Sequence, residues 1–224
     1  MTNREPEREL RITDDGSHTL YLPSMDEHYH SHFGAITESE FIFINTGLRF
    51  CMKEDIRILE AGFGTGLNAL LTAMEAEASG RHIFYFTVEK YPLAESITAA
   101  LNYGSLKGAR GAELFGLIHA AAWNKPVAIT PFFTIEKREA DLTSYLIPGT
   151  YDIIFFDAFG PDKQPEMWTE EIIEKISGAS HSGTVFVTYS AKGSLKRSLR
   201  SNGFSVEHLP GPPGKRAITR AVKI

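Results

Sequence analysis

The chain has 224 residues, of which 42% are hydrophobic and 23% charged, an ordinary globular composition with enough chain for one sizeable core. A net charge of −5 argues against a protein that coats nucleic acid, no apolar run approaches the ~20 residues of a membrane helix, and the polar opening MTNREPEREL is not a signal peptide. Cys51 is the only cysteine, which excludes an internal disulfide and a cysteine-based metal cluster; these features predict a cytoplasmic protein.

In chain order, residues 18–22 (HTLYL) read as a short strand. Residues 36–50 read as a helix, with Ile36, Glu40, Phe43 and Gly47 on one side. A strand over 56–60 runs into glycines, and 66–79 is a helix rich in Leu and Ala. Residues 83–89 (IFYFTVE) read as a buried strand ending on Glu89, followed by helices over 92–102 and 111–123. Strands at 127–130 and 132–142 flank Pro131, and 151–157 (YDIIFFD) is a buried strand. A helix over 169–179, a strand over 183–189 and a basic helix over 192–202, stopped by Gly203, come next. The last strands, 204–208 and 216–223, are joined by PGPPGK, too short for a parallel crossover. Alternating strands and helices predict an α/β fold with a doubly wound, seven-stranded, mainly parallel sheet and one antiparallel strand near the C-terminus. That is the Rossmann-like layout of class I S-adenosylmethionine-dependent methyltransferases.

The first central strand leads into Glu60-Ala61-Gly62-Phe63-Gly64-Thr65-Gly66-Leu67-Asn68. Alternating glycines permit a tight turn and close approach of backbone to ligand, at the strand edge where open α/β sheets bind ligands. The dinucleotide fingerprint G-x-G-x-x-G requires glycine where this chain has Leu67. The E-x-G-x-G-x-G form instead resembles the S-adenosylmethionine loop. Glu89, at the end of the next strand, can accept hydrogen bonds from both ribose hydroxyls, and Asp141 from the adenine amino group. Glu60, Gly62, Gly64, Gly66, Asn68, Glu89, Lys90 and Asp141 are the cofactor-binding candidates.

The stretch FFDAFGPDKQPEMW (155–168) places a carboxylate, Asp157, at the end of a buried strand beside the glycine loop. Methyl transfer needs a nucleophile held in line within roughly 3–3.5 Å of the methyl carbon. An alkyl amine, with a pKa near ~10, arrives as ammonium and must lose a proton. Asp157 can bind and orient such an amine, while Phe159, Pro161 and Trp168 exclude water. The alternative is a strand-end aspartate capping a turn, with Trp168 in the core. Asp-x-Phe-x-Pro loosely resembles the D-P-P-Y loop of amino-group methyltransferases.

Four stretches carry a wider resemblance: DGSHTLYLPSMDEHYHSHFGAITES (15–39), ILEAGFGTGLNALL (58–71), FFDAFGPDKQPEMWT (155–169) and LPGPPGKRAITRA (209–221). Together they resemble the family of methyltransferases that make 5-methylaminomethyl-2-thiouridine at the wobble position of tRNA. The resemblance implies S-adenosyl-L-methionine as cofactor, tRNA as partner, Asp157 as catalytic residue and a domain over 51–224 preceded by a pocket-forming extension over 1–50. Many members are fused to a flavin-dependent oxidoreductase domain; the resemblance here implies a stand-alone enzyme. Ala217 stands where the family often has an acidic residue.

His28, His30 and His32 alternate, and on an extended segment would share one face. No fourth ligand is evident, and transfer from a sulfonium needs no Lewis acid, so no metal is expected; within the resemblance this segment, with Tyr29, lines the pocket. Residues 1–60 hold twelve acidic and six basic residues, whereas 192–224 hold eight basic residues against Glu207 alone. Lys163, Lys192, Lys196, Arg197, Lys215 and Arg216 are therefore candidates for phosphate contact, and Phe159 and Trp168 for stacking on a splayed base. Two other readings remain open: a methyltransferase acting on a small-molecule amine, and a non-catalytic RNA-binding protein.

Overall fold

The computed structural model describes residues 7–224; the first six residues of the expected extension, and of the polar opening, lie outside the described residues. Three short strands, β1 (Glu9–Ile12), β2 (His18–Leu22) and β3 (Glu27–His28), form a small antiparallel sheet. The chain continues through α1 (Ala35–Ser39), β4 (Asp55–Ala61), α2 (Leu67–Ser79) and β5 (His82–Glu89). The single turns α3 (Glu95–Thr98) and α4 (Tyr103–Leu106) precede α5 (Gly108–Ala120), β6 (Pro126–Thr130), β7 (Phe133–Glu139) and β8 (Tyr151–Phe156). The last elements are α6 (Glu170–Gly178), β9 (Ser180–Thr188), α7 (Gly193–Ser201), β10 (Phe204–Pro210) and β11 (Ala217–Lys223).

The large sheet runs β10-β11-β9-β8-β4-β5-β7-β6. Strands β9, β8, β4, β5 and β7 pair in parallel, and β11 runs antiparallel to both β9 and β10. This is the expected doubly wound sheet, with an eighth strand, β6, added antiparallel at the far edge. Parallel strands are covered on both faces and so read as continuous apolar runs. All six residues of β8 are buried. Alternate side chains feed two cores: Ile58, Tyr85, Ile153 and Phe155 pack with α2 and α5, and Leu59, Phe86, Ile154 and Phe156 with Ile172, Ile173 and Ile176 of α6 and Leu195 and Leu199 of α7.

Register carries the strand ends to one edge. Ala61 pairs with Val88 of β5 and Phe156 of β8, and Glu89 with Glu139 of β7. Gly62, Glu89, Asp141 and Asp157 therefore leave the sheet together. The chain winds outward from β4 through β5 and β7, then returns to β8 on the other side. The β4/β8 boundary is the topological switch where such sheets bind ligands.

Four elements differ from the sequence reading. The helix expected over 36–50 is α1, then a π-helical stretch Glu40–Asn45, then a 3₁₀ turn Leu48–Phe50. Thr46 bonds the Phe41 carbonyl twice, through its backbone N at 3.1 Å and its Oγ1 at 2.8 Å, which fixes the wide i→i+5 turn. Only the turn α3 forms within 92–102, because Asn102 ties down the start of β2: it accepts from His18 N at 2.8 Å and donates to Gly16 O at 2.9 Å. Strands β1 and β3 are too short and polar to show a period in sequence. Among the described residues, no helix is long and apolar enough to cross a membrane.

Candidate active site

A cavity of about 480 Å³ opens over the switch point. The glycine loop forms its floor, with Gly62, Gly64 and Gly66 at φ of 92°, 50° and 75°. A Cβ on Gly62 would meet Asp157 O at 3.0 Å, and one on Gly64 the Tyr29 ring at 3.3 Å. Only glycine gives both the backbone angle and the clearance. Behind the loop, His119 contacts Thr65 O at 3.2 Å, and burial pushes its imidazole down to about 4, so the ring is neutral. Lys137 is buried beside it. Its Nζ donates to the Ile118 and His119 carbonyls at the end of α5 and sits 5.0 Å from the Trp123 ring centroid.

One wall is charge-compensated. Glu89 accepts from Gly64 N at 3.0 Å through Oε2 and from Tyr91 N at 2.8 Å through Oε1. A carboxylate has about four acceptor sites, so one remains on each oxygen, a pattern that suits a vicinal diol. Asp141 is paired with Lys90 at 2.8 Å and also accepts from Thr143 N and Oγ1. Lys90 and Thr143 hold its carboxyl down at about 2, and about one acceptor site stays open.

The opposite wall is not compensated in the same way. Asp157 follows β8, and its backbone N donates to Ala61 O at 3.1 Å. Burial, reinforced by the negative charge of Glu38, pushes its carboxyl up to about 7. Asn68 Nδ2 donates to Asp157 Oδ2 at 2.8 Å. Phe159 meets the Tyr29 ring edge-on at 5.0 Å. Tyr189 donates to Ala158 O at 2.8 Å, and Lys215 Nζ lies 4.6 Å from its ring centroid.

Tyr29, Gly62, Gly64, Asn68, Glu89, Lys90, Asp141, Asp157, Phe159, Lys163 and Lys215 thus line one cavity. The other candidates do not. Glu60 is 1% exposed beneath the loop, where burial pushes it up to about 8. Gly66 starts α2 below the floor. Pro161 is not among the cavity-lining residues. Trp168 packs against Phe156 at 5.0 Å and Tyr189 at 6.2 Å, and its indole donates to Phe159 O at 2.8 Å. It is half-buried and braces the loop from outside the cavity lining.

The cationic candidates divide too. Lys215 turns inward to Glu38 at 2.9 Å, whereas Arg216 points outward and is exposed. Lys163 donates to Met25 O at 2.8 Å across the cavity, Lys192 pairs with Asp162 at 2.7 Å, and Lys196 Nζ lies 2.7 Å from His208 Nδ1. Arg197 is exposed.

All three histidines line the cavity, each against a different aromatic ring: His28 beside Tyr21, His30 near Tyr103 and His32 beside Phe33. Burial pushes His30 down to about 4. Among the described residues, no group of three or more His, Cys, Asp or Glu is placed to hold a metal ion. Glu38 and Tyr189 are cavity residues that the sequence reading missed; Glu38 has the look of an ordinary helix-surface acid until its 8% exposure is seen.

A family model described as S-adenosyl-L-methionine-dependent methyltransferase matches residues 136–224. The tRNA 5-methylaminomethyl-2-thiouridine biosynthesis bifunctional protein MnmC of Paraburkholderia phymatum is 28% identical, covering 93% of this chain and 34% of that protein. The same-named protein of Magnetococcus marinus is 32% identical, covering 91% and 32%. The chain spans about a third of the length of these curated relatives. Among solved structures, MnmC2 from Aquifex aeolicus matches with a TM-score of 0.80 at 27% identity, covering 98% of this chain and 71% of that one. The sugar N-methyltransferase KedS8 from Streptoalloteichus matches at 0.50 with 12% identity, covering 84% and 87%, a likeness of fold alone.

Proposed function

Because the chain belongs to the MnmC family of S-adenosyl-L-methionine-dependent methyltransferases, we propose that it methylates the primary amine of 5-aminomethyl-2-thiouridine at the wobble position of tRNA, giving 5-methylaminomethyl-2-thiouridine. One observation carries this reading: the Asp157 carboxyl lies in the cavity wall, one hydrogen bond from the helix that the glycine loop opens.

The donor set fits S-adenosyl-L-methionine. Bare glycines floor the cavity, Glu89 keeps one acceptor site on each oxygen, and Asp141 keeps about one for an amino group. When bound, the cofactor supplies a methyl group on a sulfonium, a positively charged centre whose sulfur leaves as a neutral thioether.

The protein's own residues then act on the acceptor. Asp157 binds the aminomethyl group and orients its nitrogen, the alignment that accounts for much of such rate enhancements. A carboxylate raised to about 7 is also a far better proton acceptor than one at its ordinary ~3.9. It can take the proton that an alkylammonium must lose. Phe159 and Tyr29 pack over this end and exclude water. In this reading the segment up to residue 50 forms the acceptor side of the pocket, through Tyr29, His30 and Glu38, and Arg197 and Arg216 meet the tRNA backbone.

The test is nucleoside mass spectrometry. Transfer RNA bearing 5-aminomethyl-2-thiouridine is incubated with the pure protein and S-adenosyl-L-methionine, then digested. The expected result is conversion of that nucleoside to a product heavier by one CH₂. No conversion, with cofactor binding confirmed by calorimetry, overturns the acceptor assignment and turns the search to small amines.

A further inference from the structure

Asn68 is the side chain that the glycine-loop helix and the acceptor wall share. It sits in the first turn of α2 and is 4% exposed. Its amide nitrogen donates twice: to Asp157 Oδ2 at 2.8 Å and to Glu60 Oε1 at 3.1 Å. Glu60 is anchored in turn, with Thr87 Oγ1 at 2.7 Å from its other oxygen. An NH₂ group has two protons, and both are placed. The carbonyl, Oδ1, is buried with no hydrogen-bond partner.

This is an unusual allocation for a cofactor ligand. A side chain that held the cofactor through its amide nitrogen would keep an N–H free for it. Here the nitrogen is committed to two carboxyl groups. Turning the amide over would set its oxygen against Asp157, acceptor against acceptor, so ionisation of Asp157 itself selects the observed orientation.

We propose that Asn68 is a positioning residue for Asp157 rather than a cofactor ligand: it clamps Oδ2 from below and leaves Oδ1 for the acceptor amine. The proposal rests on the reading of Asp157 as the residue that holds the amine. Glu60 is the base of the clamp. Burial pushes it up to about 8, so at neutral pH it is uncharged and adds no second anion under Asp157. The clamp also acts on the proton affinity of Asp157, since a donated hydrogen bond favours the carboxylate. The other charged or titratable groups facing this point are Glu38, which raises the proton affinity of Asp157, and Lys215, which lowers it. Tyr85 and Tyr189 face it too, both with phenols raised by burial and so neutral.

The experiment compares wild type with Asn68→Ala and Asn68→Ser. Three quantities are measured: cofactor affinity by calorimetry, kcat/KM against pH on tRNA bearing 5-aminomethyl-2-thiouridine, and the Asp157 titration by carboxyl-carbon NMR. The expected result is cofactor affinity near wild type, kcat lower by about 100-fold, the loss typical of a displaced reacting group, and an acidic limb moved to higher pH. The Asp157 titration moves up with it. A lowered kcat with an unmoved limb and unmoved titration overturns the proposal in favour of a purely structural role. Loss of cofactor binding in both variants overturns it in favour of a cofactor ligand. If wild type does not turn over this tRNA, the substrate reading fails by itself, and the NMR titration still decides the clamp: an Asp157 that titrates alike with and without Asn68 sinks it.

Discussion

The two walls of the cavity carry similar residue types and treat them in opposite ways. On the β5/β7 side, Glu89 is bound by two backbone N–H groups and Asp141 by Lys90 and Thr143, and Asp141 is held down at about 2. On the β8 side, burial pushes Asp157 up to about 7, and beneath the loop it pushes Glu60 of β4 up to about 8. Lys90 and Thr143 keep Asp141 an acceptor, and Glu89 leaves acceptor sites open beside its two backbone bonds, a wall suited to neutral hydroxyl and amino groups. On the second wall burial outweighs the Asn68 hydrogen bond and the Lys215 charge, which makes Asp157 proton-hungry and suited to an amine that arrives as a cation. Strand-end acids on a single sheet are thus given different proton affinities by their neighbours, the difference on which the proposed binding and reacting roles rest.

The largest effect should come from emptying the second wall. Asp157→Asn keeps the shape and removes the charge; turnover should fall by roughly 10²–10⁴, the range for a positioned acid–base group, with cofactor affinity kept. Wild-type-like kcat in that variant would remove Asp157 from the chemistry. Emptying the first wall should do the converse. Glu89→Ala removes the acceptor sites left open for the diol, each hydrogen bond to a carboxylate being of about 1.5–3 kcal/mol, so cofactor affinity should weaken at least ~10-fold by calorimetry. An unchanged dissociation constant would separate Glu89 from the cofactor.

Stability against pH gives a third, smaller contrast. The folded-state pKa of Glu60 is raised from 4.5 to about 8. Its contribution to stability is therefore complete below 4.5 and lost as pH rises through about 8. Asp157, raised from 3.8 to about 7, acts in the same direction. His30 acts in the other: lowered from 6.5 to about 4, it contributes above 6.5 and loses that contribution as pH falls through about 4. The melting temperature should decline on both sides of a maximum, and Glu60→Gln should flatten only the alkaline decline. An alkaline limb unaltered in Glu60→Gln would mean that the acid is not protonated in the folded state.

Much of this was visible in sequence, because the sheet is built from signals of low ambiguity. Apolar runs such as IIFF in β8, the alternating glycines and an acid at each strand end placed Gly62, Glu89, Asp141 and Asp157 on one edge, and register brought them together. What sequence could not resolve was direction. An aromatic residue in a stiff loop serves equally to stack on a ligand or to brace the loop, and Trp168 braces. A glutamate in a helix is usually solvated, and Glu38 is buried because α1 packs beneath the segment around Ser31, whose N–H it accepts at 2.8 Å. The sequence pattern of 36–50 fits a straight helix; the π turn comes from the local hydroxyl of Thr46.

The adjacent pair Lys215 and Arg216 tests the same contrast at its finest scale. In sequence they are one basic dipeptide. In the fold, Lys215 faces the acceptor wall and pairs with Glu38, while Arg216 faces solvent. Arg216→Ala should weaken tRNA binding modestly and flatten its salt dependence by about 0.7 in slope, the counterion released per single-strand phosphate contact. Arg197→Ala should do the same if its exposed guanidinium meets the backbone. Lys215→Ala should leave the salt slope alone and instead raise the acidic limb of kcat/KM, because the cation that lowers Asp157's proton affinity is gone. Filter binding at several salt concentrations, set beside pH profiles of the same variants, decides it. A flattened slope for Lys215→Ala with an unmoved limb would place this lysine on the RNA and assign the charge balance of the acceptor wall to Glu38 and Asp157 alone.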